Sequence, residues 1–226
     1  MNSNTSACPA PWQLQGHGLI VLLKNSTKRV MADPAIEHIM VPALRSRFSV
    51  LMLVNYEHSN VGPYQELLYI PGSAQIDGRR HLTISNIWVS SQASVDNGRR
   101  NWGIPKQLAN FQWQTLTDGG QRVRVEHGGQ TLIDLRYQGK GWACPVHTAL
   151  VPSFMRTLVQ SLNGQRFVYT PSAKGRCKLA SVQQISTPSG LFPAIQSSDV
   201  VAAFEASQFQ MTFPVAQVQA RAHIHV

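Results

Sequence analysis

Residues 97–113 read NGRRNWGIPKQLANFQW, and after Arg100 this stretch contains a single charged residue, Lys106. The neighbours of Lys106 can enclose the amine in apolar surroundings: Trp102, Ile104, Pro105, Leu108, Phe111 and Trp113. Burial of this kind disfavours the charged ammonium form. A lysine with the ordinary pKa of about 10.4 is less than about 0.1 % neutral near pH 7, so a dry environment is what would turn Lys106 into a nucleophile toward ketones. The alternative is an ordinary surface lysine behind a turn proline.

A second motif lies upstream, where residues 61–67 read VGPYQEL and Glu66 precedes Lys106 by 40 positions. Glu66 stands in a β-rich run, and a carboxylate buried there costs several kcal/mol unless it is paired or protonated. Because side chains alternate along a strand, Tyr64 and Glu66 are expected to share one face. Glu66 is therefore a candidate general acid or base, the alternative being a structural carboxylate held by backbone or arginine.

Together, VGPYQEL and NWGIPKQLANF resemble the acetoacetate decarboxylase superfamily, with the resemblance running from about residue 11 to residue 213. It implies a mainly β fold, a closed β cone or double-barrel with a few short helices that holds a small ligand inside and assembles into homo-oligomers. It also implies that Lys106 forms an imine with a small keto acid or related carbonyl compound, without a cofactor. The interior of such a barrel is where we expect the lysine to be kept dry.

Three positions depart from the family pattern. Gln107 stands where the decarboxylases have a second lysine, and an ungapped alignment places Leu51 at a second acidic position. An arginine of the family falls near His17, which is the nearest polar residue. The chemistry after imine formation, decarboxylation or aldol addition with loss of water, is therefore left open. The residues expected to bind substrate are Tyr64, His17, Trp102 and Arg100.

Short β-rich runs separated by turns organise the rest of the chain as a sandwich or barrel. Residues 1–10 are expected to form a flexible arm and residues 11–226 a single domain. The patterns predict strands at residues 17–24, 48–56, 64–71, 81–90, 111–117, 123–127, 131–137, 149–154, 166–170, 178–186 and 209–218. They predict short helices at residues 35–40 and 199–206, and one or two helical turns within residues 91–101.

The composition indicates which classes of ligand and partner fit this protein. The net charge of +9 favours anionic ligands, but the basic residues are scattered and form no nucleic-acid motif, so carboxylate substrates fit better than DNA or RNA. No apolar run approaches the roughly 20 residues of a membrane span. His223 and His225 lack a third ligand for a metal.

The three cysteines form no CxxC pair, and Cys144 is expected to be a buried structural thiol. The N-terminus lacks the pattern of a signal peptide, so the cytoplasm is the expected location. A non-catalytic β-barrel that binds a small apolar or anionic ligand remains the alternative function.

Overall fold

The computed structural model describes residues 6–25, 47–76 and 79–220. These residues form fifteen strands, one α-helix and three short 3-10 turns. The strands are β1 (Trp12–Lys24), β2 (Phe48–His58), β3 (Tyr64–Ile70), β4 (Ser73–Ile76), β5 (Arg79–Leu82), β6 (Asn86–Val89), β7 (Lys106–Leu108), β8 (Asn110–Thr115), β9 (Gln121–His127), β10 (Gln130–His147), β11 (Leu158–Leu162), β12 (Gln165–Tyr169), β13 (Ser172–Ser186), β14 (Val200–Phe213) and β15 (Gln217–Ala220). The helix is α1 (Gln92–Trp102), and the 3-10 turns span Thr148–Leu150, Ser153–Met155 and Ser197–Asp199.

Ten strands form one large sheet in the order β7-β6-β3-β2-β1-β14-β13-β10-β9-β8. The first and last strands of this order, β7 and β8, are consecutive in the chain and are separated only by Ala109. The sheet must therefore curl until its two edges meet, which makes it a nearly closed barrel. Ala109 donates a backbone hydrogen bond to the Val89 carbonyl at 2.9 Å, which ties the junction to β6.

The inside of the barrel is a hydrophobic core built from alternate residues of nearly every strand of the large sheet. On β2 and β3 these are the odd-numbered positions Leu51, Leu53, Leu67 and Tyr69, all fully buried. The period of two along each strand sends the even-numbered positions to the opposite face. The barrel thus has a packed interior and a second apolar face outside it.

That second face is covered by α1 and by a five-stranded sheet in the order β15-β12-β11-β5-β4. Even-numbered side chains of β2 and β3 pack there against Trp102, Ile104 and Phe167. The mainly β fold with a nearly closed barrel, expected from the resemblance, is confirmed. It has two cores, one inside the barrel and one between the barrel and its cover.

The best predicted part of the fold is the run of hairpins from β8 to β10. Asp118, Gly119 and Gly120 lie in the first turn and Gly128 and Gly129 in the second. Three of these four glycines, Gly119, Gly128 and Gly129, have positive φ. The strands at residues 48–56 and 64–71 are also confirmed, as β2 and β3. The helix over residues 91–101 is longer than expected, with 11 residues.

The predicted helix at residues 199–206 is wrong, because these residues belong almost entirely to strand β14. β14 lies between β1 and β13 and pairs with both along most of its length, so its backbone groups are satisfied by two neighbouring strands. Helical geometry is confined to the 3-10 turn Ser197–Asp199 at the start of this segment. Long-range pairing overrides the local preference here.

The predicted strand at residues 149–154 is also wrong. This segment forms parts of two 3-10 turns with Pro152 between them, and proline cannot donate to a strand ladder. Leu150 and Phe154 are 85 % and 68 % exposed, so the apolar run that suggested a strand lies largely on the surface.

Two predicted strands are divided, and three strands were missed. Residues 83–85 interrupt the strand expected at residues 81–90, so that β5 joins the small sheet and β6 the large one. Residues 214–216 likewise separate β14 from β15. The strands β4, β7 and β11 were not predicted.

Cys144 is exposed rather than buried, and it lies opposite Cys177 in the pairing of β10 with β13. The end of β10 extends beyond both cores, since every residue from 141 to 147 except Ala143 is exposed. In the part of the chain that the structure describes, all three cysteines are free.

Residues 6–10 lie against α1: the Cys8 N–H donates to Asn97 Oδ1 at 2.8 Å, and the Cys8 carbonyl accepts from Asn101 Nδ2 at 2.8 Å. Residues 1–5, the helix predicted at residues 35–40, and the pair His223 and His225 lie outside the described residues. No helix within the described ranges is long and apolar enough to span a membrane.

Candidate active site

Helix α1 provides one wall of the site. It begins at Ser91, whose side chain accepts a hydrogen bond from the Ser94 N–H, and it ends at Gly103, which has φ of 63°. Glycine commonly adopts this left-handed conformation just after the last turn of a helix, and the conformation ends the helix. Ser94 and Gly98 are four positions apart, so they lie on the same helical face. That face is turned toward Lys106.

Strand β7 carries Lys106 and pairs in parallel with β6, where Lys106 lies beside Ile87. Because neighbouring residues in register share a sheet face, Lys106 points to the same side as Ile87, toward the core under α1. The Arg99 guanidinium donates two hydrogen bonds to the Lys106 carbonyl, at 2.9 Å from Nε and 2.6 Å from Nη2. The backbone of the lysine is thus tied to the helix.

Lys106 is therefore buried outside the barrel, between the large sheet and its cover. The expectation that the barrel interior encloses the lysine is wrong, and the parallel register with β6 is the reason. The lysine is nevertheless dry, since it is only 4 % exposed. The aliphatic and aromatic side chains of the second core supply the low-dielectric wall.

Glu66 on β3 faces the same space and is also 4 % exposed. Lys106 Nζ donates to Glu66 Oε2 at 2.9 Å and to Ser94 Oγ at 2.9 Å. The ring of Tyr64 lies 5.0 Å from Nζ, within range of a cation–π contact. Two ionisable groups separated by 40 positions in the chain therefore form one buried, directly hydrogen-bonded pair.

Two tyrosines surround the carboxyl of Glu66. The Tyr56 hydroxyl donates to Glu66 Oε1 at 3.2 Å. Burial, and then the nearby charge of Glu66, raise the pKa values of Tyr56 and Tyr64 well above the usual range. Both phenols therefore keep their protons throughout the neutral range, and Tyr56 acts as a hydrogen-bond donor to Glu66.

The absence of a side chain at Gly98 leaves the space that the aliphatic chain of Lys106 occupies. A Cβ atom at this position would lie 2.7 Å from Lys106 Cδ and 2.9 Å from Cε. Such separations are well below the contact distance of about 3.5–4.0 Å between carbon atoms. A side chain at position 98 and the present position of the lysine chain are therefore incompatible.

The space next to the amine is small. A cavity of about 20 Å³ is bounded by Glu66, Lys106, Tyr56, Tyr64, Trp102 and Ile104, among others. That volume corresponds to roughly one water molecule. Within the described residues, Glu66 and Lys106 are the only charged groups that line it. The pair can exchange a proton directly, with little competition from solvent.

Four of the six candidate residues come together here: Lys106, Glu66, Tyr64 and Trp102. The Trp102 indole donates to the Pro214 carbonyl at 2.7 Å, which holds the ring in place as a wall. His17 lies elsewhere, with Nδ1 3.0 Å from Glu57 Oε1 and its ring against Trp113.

Arg100 is also outside the cavity, since its Nη1 donates to Asn97 Oδ1 at 3.2 Å and the side chain is exposed. Leu51, aligned with an acidic position of the family, faces the barrel interior. The residues of β2 on the Glu66 side are instead Met52, Val54 and Tyr56. Gln107 is exposed on β7 and so points away from the amine.

Sequence reasoning missed Tyr56 and Ser94. Tyr56 lies directly opposite Tyr64 in the antiparallel pairing of β2 with β3. The position of the turn between these two strands could therefore have predicted the contact between the two tyrosines. No local pattern identifies Ser94, because its role depends on the docking of α1. Among the residues that the structure describes, no group of three His, Cys, Asp or Glu side chains could hold a metal ion.

Residues 44–188, more than half of the chain, match the family model for acetoacetate decarboxylase. The chain belongs to the acetoacetate decarboxylase family. A comparison with curated protein sequences gives no match.

Solved structures with the acetoacetate decarboxylase fold superpose on nearly the whole chain. The acetoacetate decarboxylase of Legionella pneumophila is 15 % identical, with a TM-score of 0.69 over 97 % of this chain and 90 % of that one. An acetoacetate decarboxylase-like enzyme from Sphingomonas wittichii is 12 % identical, with a TM-score of 0.65 over 95 % of each chain. The enduracididine biosynthesis enzyme MppR, in complex with pyruvate, is 11 % identical, with a TM-score of 0.65 over 96 % of this chain and 93 % of that one. At these identities the likeness establishes the fold.

Proposed function

We propose that this protein is a cofactor-independent carbon–carbon lyase that forms an imine between Lys106 and a keto acid. The observation that carries the proposal is the buried hydrogen bond of 2.9 Å between Lys106 Nζ and Glu66 Oε2. The family membership and the pyruvate complex of MppR support it.

The pair can generate the nucleophile itself. Transfer of one proton from Nζ to Oε2 converts an ammonium and a carboxylate into an amine and a carboxylic acid. This transfer within the buried pair supplies the amine without an exchange of protons with solvent. Formation of the amine in this way does not require the adjacent cation that the decarboxylases have at position 107. The presence of Gln107 there is therefore compatible with the proposal.

The neutral amine attacks the ketone carbon and forms a C–N bond, and the carbinolamine oxygen leaves as water after receiving a proton. Glu66 in its acid form is the proton donor within reach, and Tyr56 keeps it oriented. The resulting iminium accepts an electron pair from the adjacent carbon. With a β-keto acid this pair comes from the bond to the carboxylate, so carbon dioxide leaves and the enamine is then protonated and hydrolysed.

With an α-keto acid the electron pair comes from a C–H bond, whose proton passes to the Glu66 carboxylate, and the enamine can add to an aldehyde with subsequent loss of water. The buried pair of Lys106 and Glu66 is compatible with both reactions. The partition between them is decided by which carbonyl compound the protein receives.

The test is reduction with borohydride in the presence of acetoacetate or pyruvate, followed by peptide mass mapping. We expect an adduct on Lys106 in the wild type and none in Lys106→Met. Glu66→Gln keeps the amine but removes the proton carrier, so turnover should fall by about 10²–10⁴-fold, and trapping by less. Absence of an adduct across a panel of keto acids would remove the proposal.

The alternative, a non-catalytic barrel that binds an apolar ligand, is favoured by one observation. A cavity of about 280 Å³ with almost wholly apolar walls adjoins Glu66. Saturable ligand binding without any adduct or turnover would support this alternative.

We also propose a homo-oligomer in the cytoplasm. Large apolar side chains exposed near the end of β10 and in the turns after it support self-association: Trp142 is 94 % exposed and Leu150 is 85 % exposed. The three free cysteines are consistent with a reducing compartment. Light scattering of the wild type and of Trp142→Ser tests the assembly, and a monomeric wild type would contradict it.

A further inference from the structure

The cavity of about 280 Å³ adjoins the small space around Lys106. The two share Glu66, Tyr56, Leu68, Ile84 and Phe213 as wall residues. Glu66 is thus the boundary between the amine and a much larger chamber. Its further walls are almost entirely carbon: Met52, Ile70, Leu82, Leu158 and Met211.

A second apolar cavity, of about 210 Å³, lies next to the first. It shares Met52, Thr148, Ala173 and Met211 with the first. Its other walls lie on the same outer face of the barrel and include Ile20, Val54, Ala206 and Phe209. We call the two adjoining cavities the apolar channel.

Both cavities of the channel reach the surface. The first is bordered there by Met155, which is 55 % exposed, and by Arg156, and the second by Lys174 and Arg176. The volumes of its two cavities together fall within the range of about 300–1,000 Å³ that small-molecule sites occupy. A substrate no larger than acetoacetate would leave most of this space empty.

We propose that the carbonyl substrate carries an unbranched aliphatic tail, so that it is a medium-chain keto acid whose tail lies in the apolar channel. This inference rests on the proposed function of Lys106. The space at the amine admits little more than the reacting carbonyl, so any longer substituent has to leave it past Glu66. The basic outer end tolerates a neutral or anionic tail end and disfavours a cationic one.

The expected signature is a dependence of binding on chain length. Burying one methylene group is worth about 0.8 kcal/mol, which is about fourfold in the dissociation constant. The half-saturating concentration for borohydride trapping should therefore fall by up to about fourfold for each added methylene in the series acetoacetate, 3-oxohexanoate, 3-oxooctanoate and 3-oxodecanoate.

Ala173 is the position at which to block the channel. It is a small, half-buried residue on β13 in the wall common to both cavities. Ala173→Phe should flatten the series, reducing the advantage of 3-oxodecanoate over acetoacetate by about tenfold or more, since several methylenes lose their site. Leu179→Phe is the matched control, because Leu179 is on the same strand, 62 % exposed and outside the channel walls.

Linear alcohols from butanol to decanol, titrated calorimetrically into the wild type, separate the two proposals, because alcohols cannot form an imine. Chain-length-dependent alcohol binding without any trapped ketone would retain the channel and remove the lysine chemistry. Equal half-saturating concentrations for the trapping of acetoacetate and 3-oxodecanoate, together with no binding of decanol, would overturn the channel and leave the lysine chemistry in place. The alcohol series needs no variant, so the test survives if Ala173→Phe does not fold.

Discussion

Replacing Gly98 with alanine adds a single methyl group directly against the lysine chain. The new Cβ would lie 2.7 Å from Lys106 Cδ and 2.9 Å from Cε. To restore carbon contacts of about 3.5–4.0 Å, the lysine has to retreat by about 1 Å. Nζ is now 2.9 Å from both Glu66 and Ser94, and a shift of that size takes at least one contact beyond the usual limit of about 3.2 Å.

The effects of Gly98→Ala on stability and on reactivity should therefore differ. Alanine in a helix interior is favoured over glycine by about 0.8–1.0 kcal/mol, whereas overpacking costs about 1–3 kcal/mol. The free energy of unfolding should fall by only about 0–2 kcal/mol. A misplacement of about 1 Å at the reacting group costs up to about 10²-fold in rate, so trapping should be slowed by about 10–100-fold.

The assay compares the rate of borohydride trapping with urea unfolding of the same preparation. Ala93→Gly is the matched control: it should weaken α1 by about 1 kcal/mol without adding an atom near Lys106. If Gly98→Ala traps acetoacetate or pyruvate at the wild-type rate, the position of the amine does not limit the reaction and the reasoning is refuted. Equal slowing by Ala93→Gly would assign the effect to helix stability instead.

Three further predictions concern the residues around the pair. Arg99→Ala removes two charge-assisted hydrogen bonds to the Lys106 carbonyl. It should lower the trapping rate, and it should lower the free energy of unfolding, measured by urea titration, by about 1.5–3 kcal/mol. Full retention of both quantities in Arg99→Ala would contradict this prediction. Tyr56→Phe removes the donor to Glu66 and should slow turnover more than trapping, and the reverse order in steady-state and single-turnover assays would count against it. Burial raises the pKa values of Tyr56 and Tyr64, so the folded state retains protons that the unfolded state loses above about pH 10. The stabilisation should be complete below that pH and should fall as the pH rises further. Between pH 9 and pH 11, the free energy of unfolding should decrease less in Tyr56→Phe than in the wild type.

The local parts of the fold could be predicted from the sequence because their causes are local. The hairpins from β8 to β10 depend on glycines in the turns and on alternating apolar residues. The motif pair containing Glu66 and Lys106 likewise identified two residues that the fold brings within hydrogen-bonding distance. Where a segment's own pattern disagreed with its neighbours, as at residues 199–206, the two flanking strands decided the outcome.

By itself, the sequence determined that the chain is mainly β, where several strands and turns lie, and that one lysine and one glutamate belong together. Only the tertiary structure decided that Lys106 faces the outside of the barrel, that Ser94 and Tyr56 complete its surroundings, and that His17 and Arg100 lie apart from it. The physical reason is that strand alternation leaves two faces to choose from. Closure of the sheet between β7 and β8, and the docking of α1 over one face, make that choice through contacts between residues far apart in the chain.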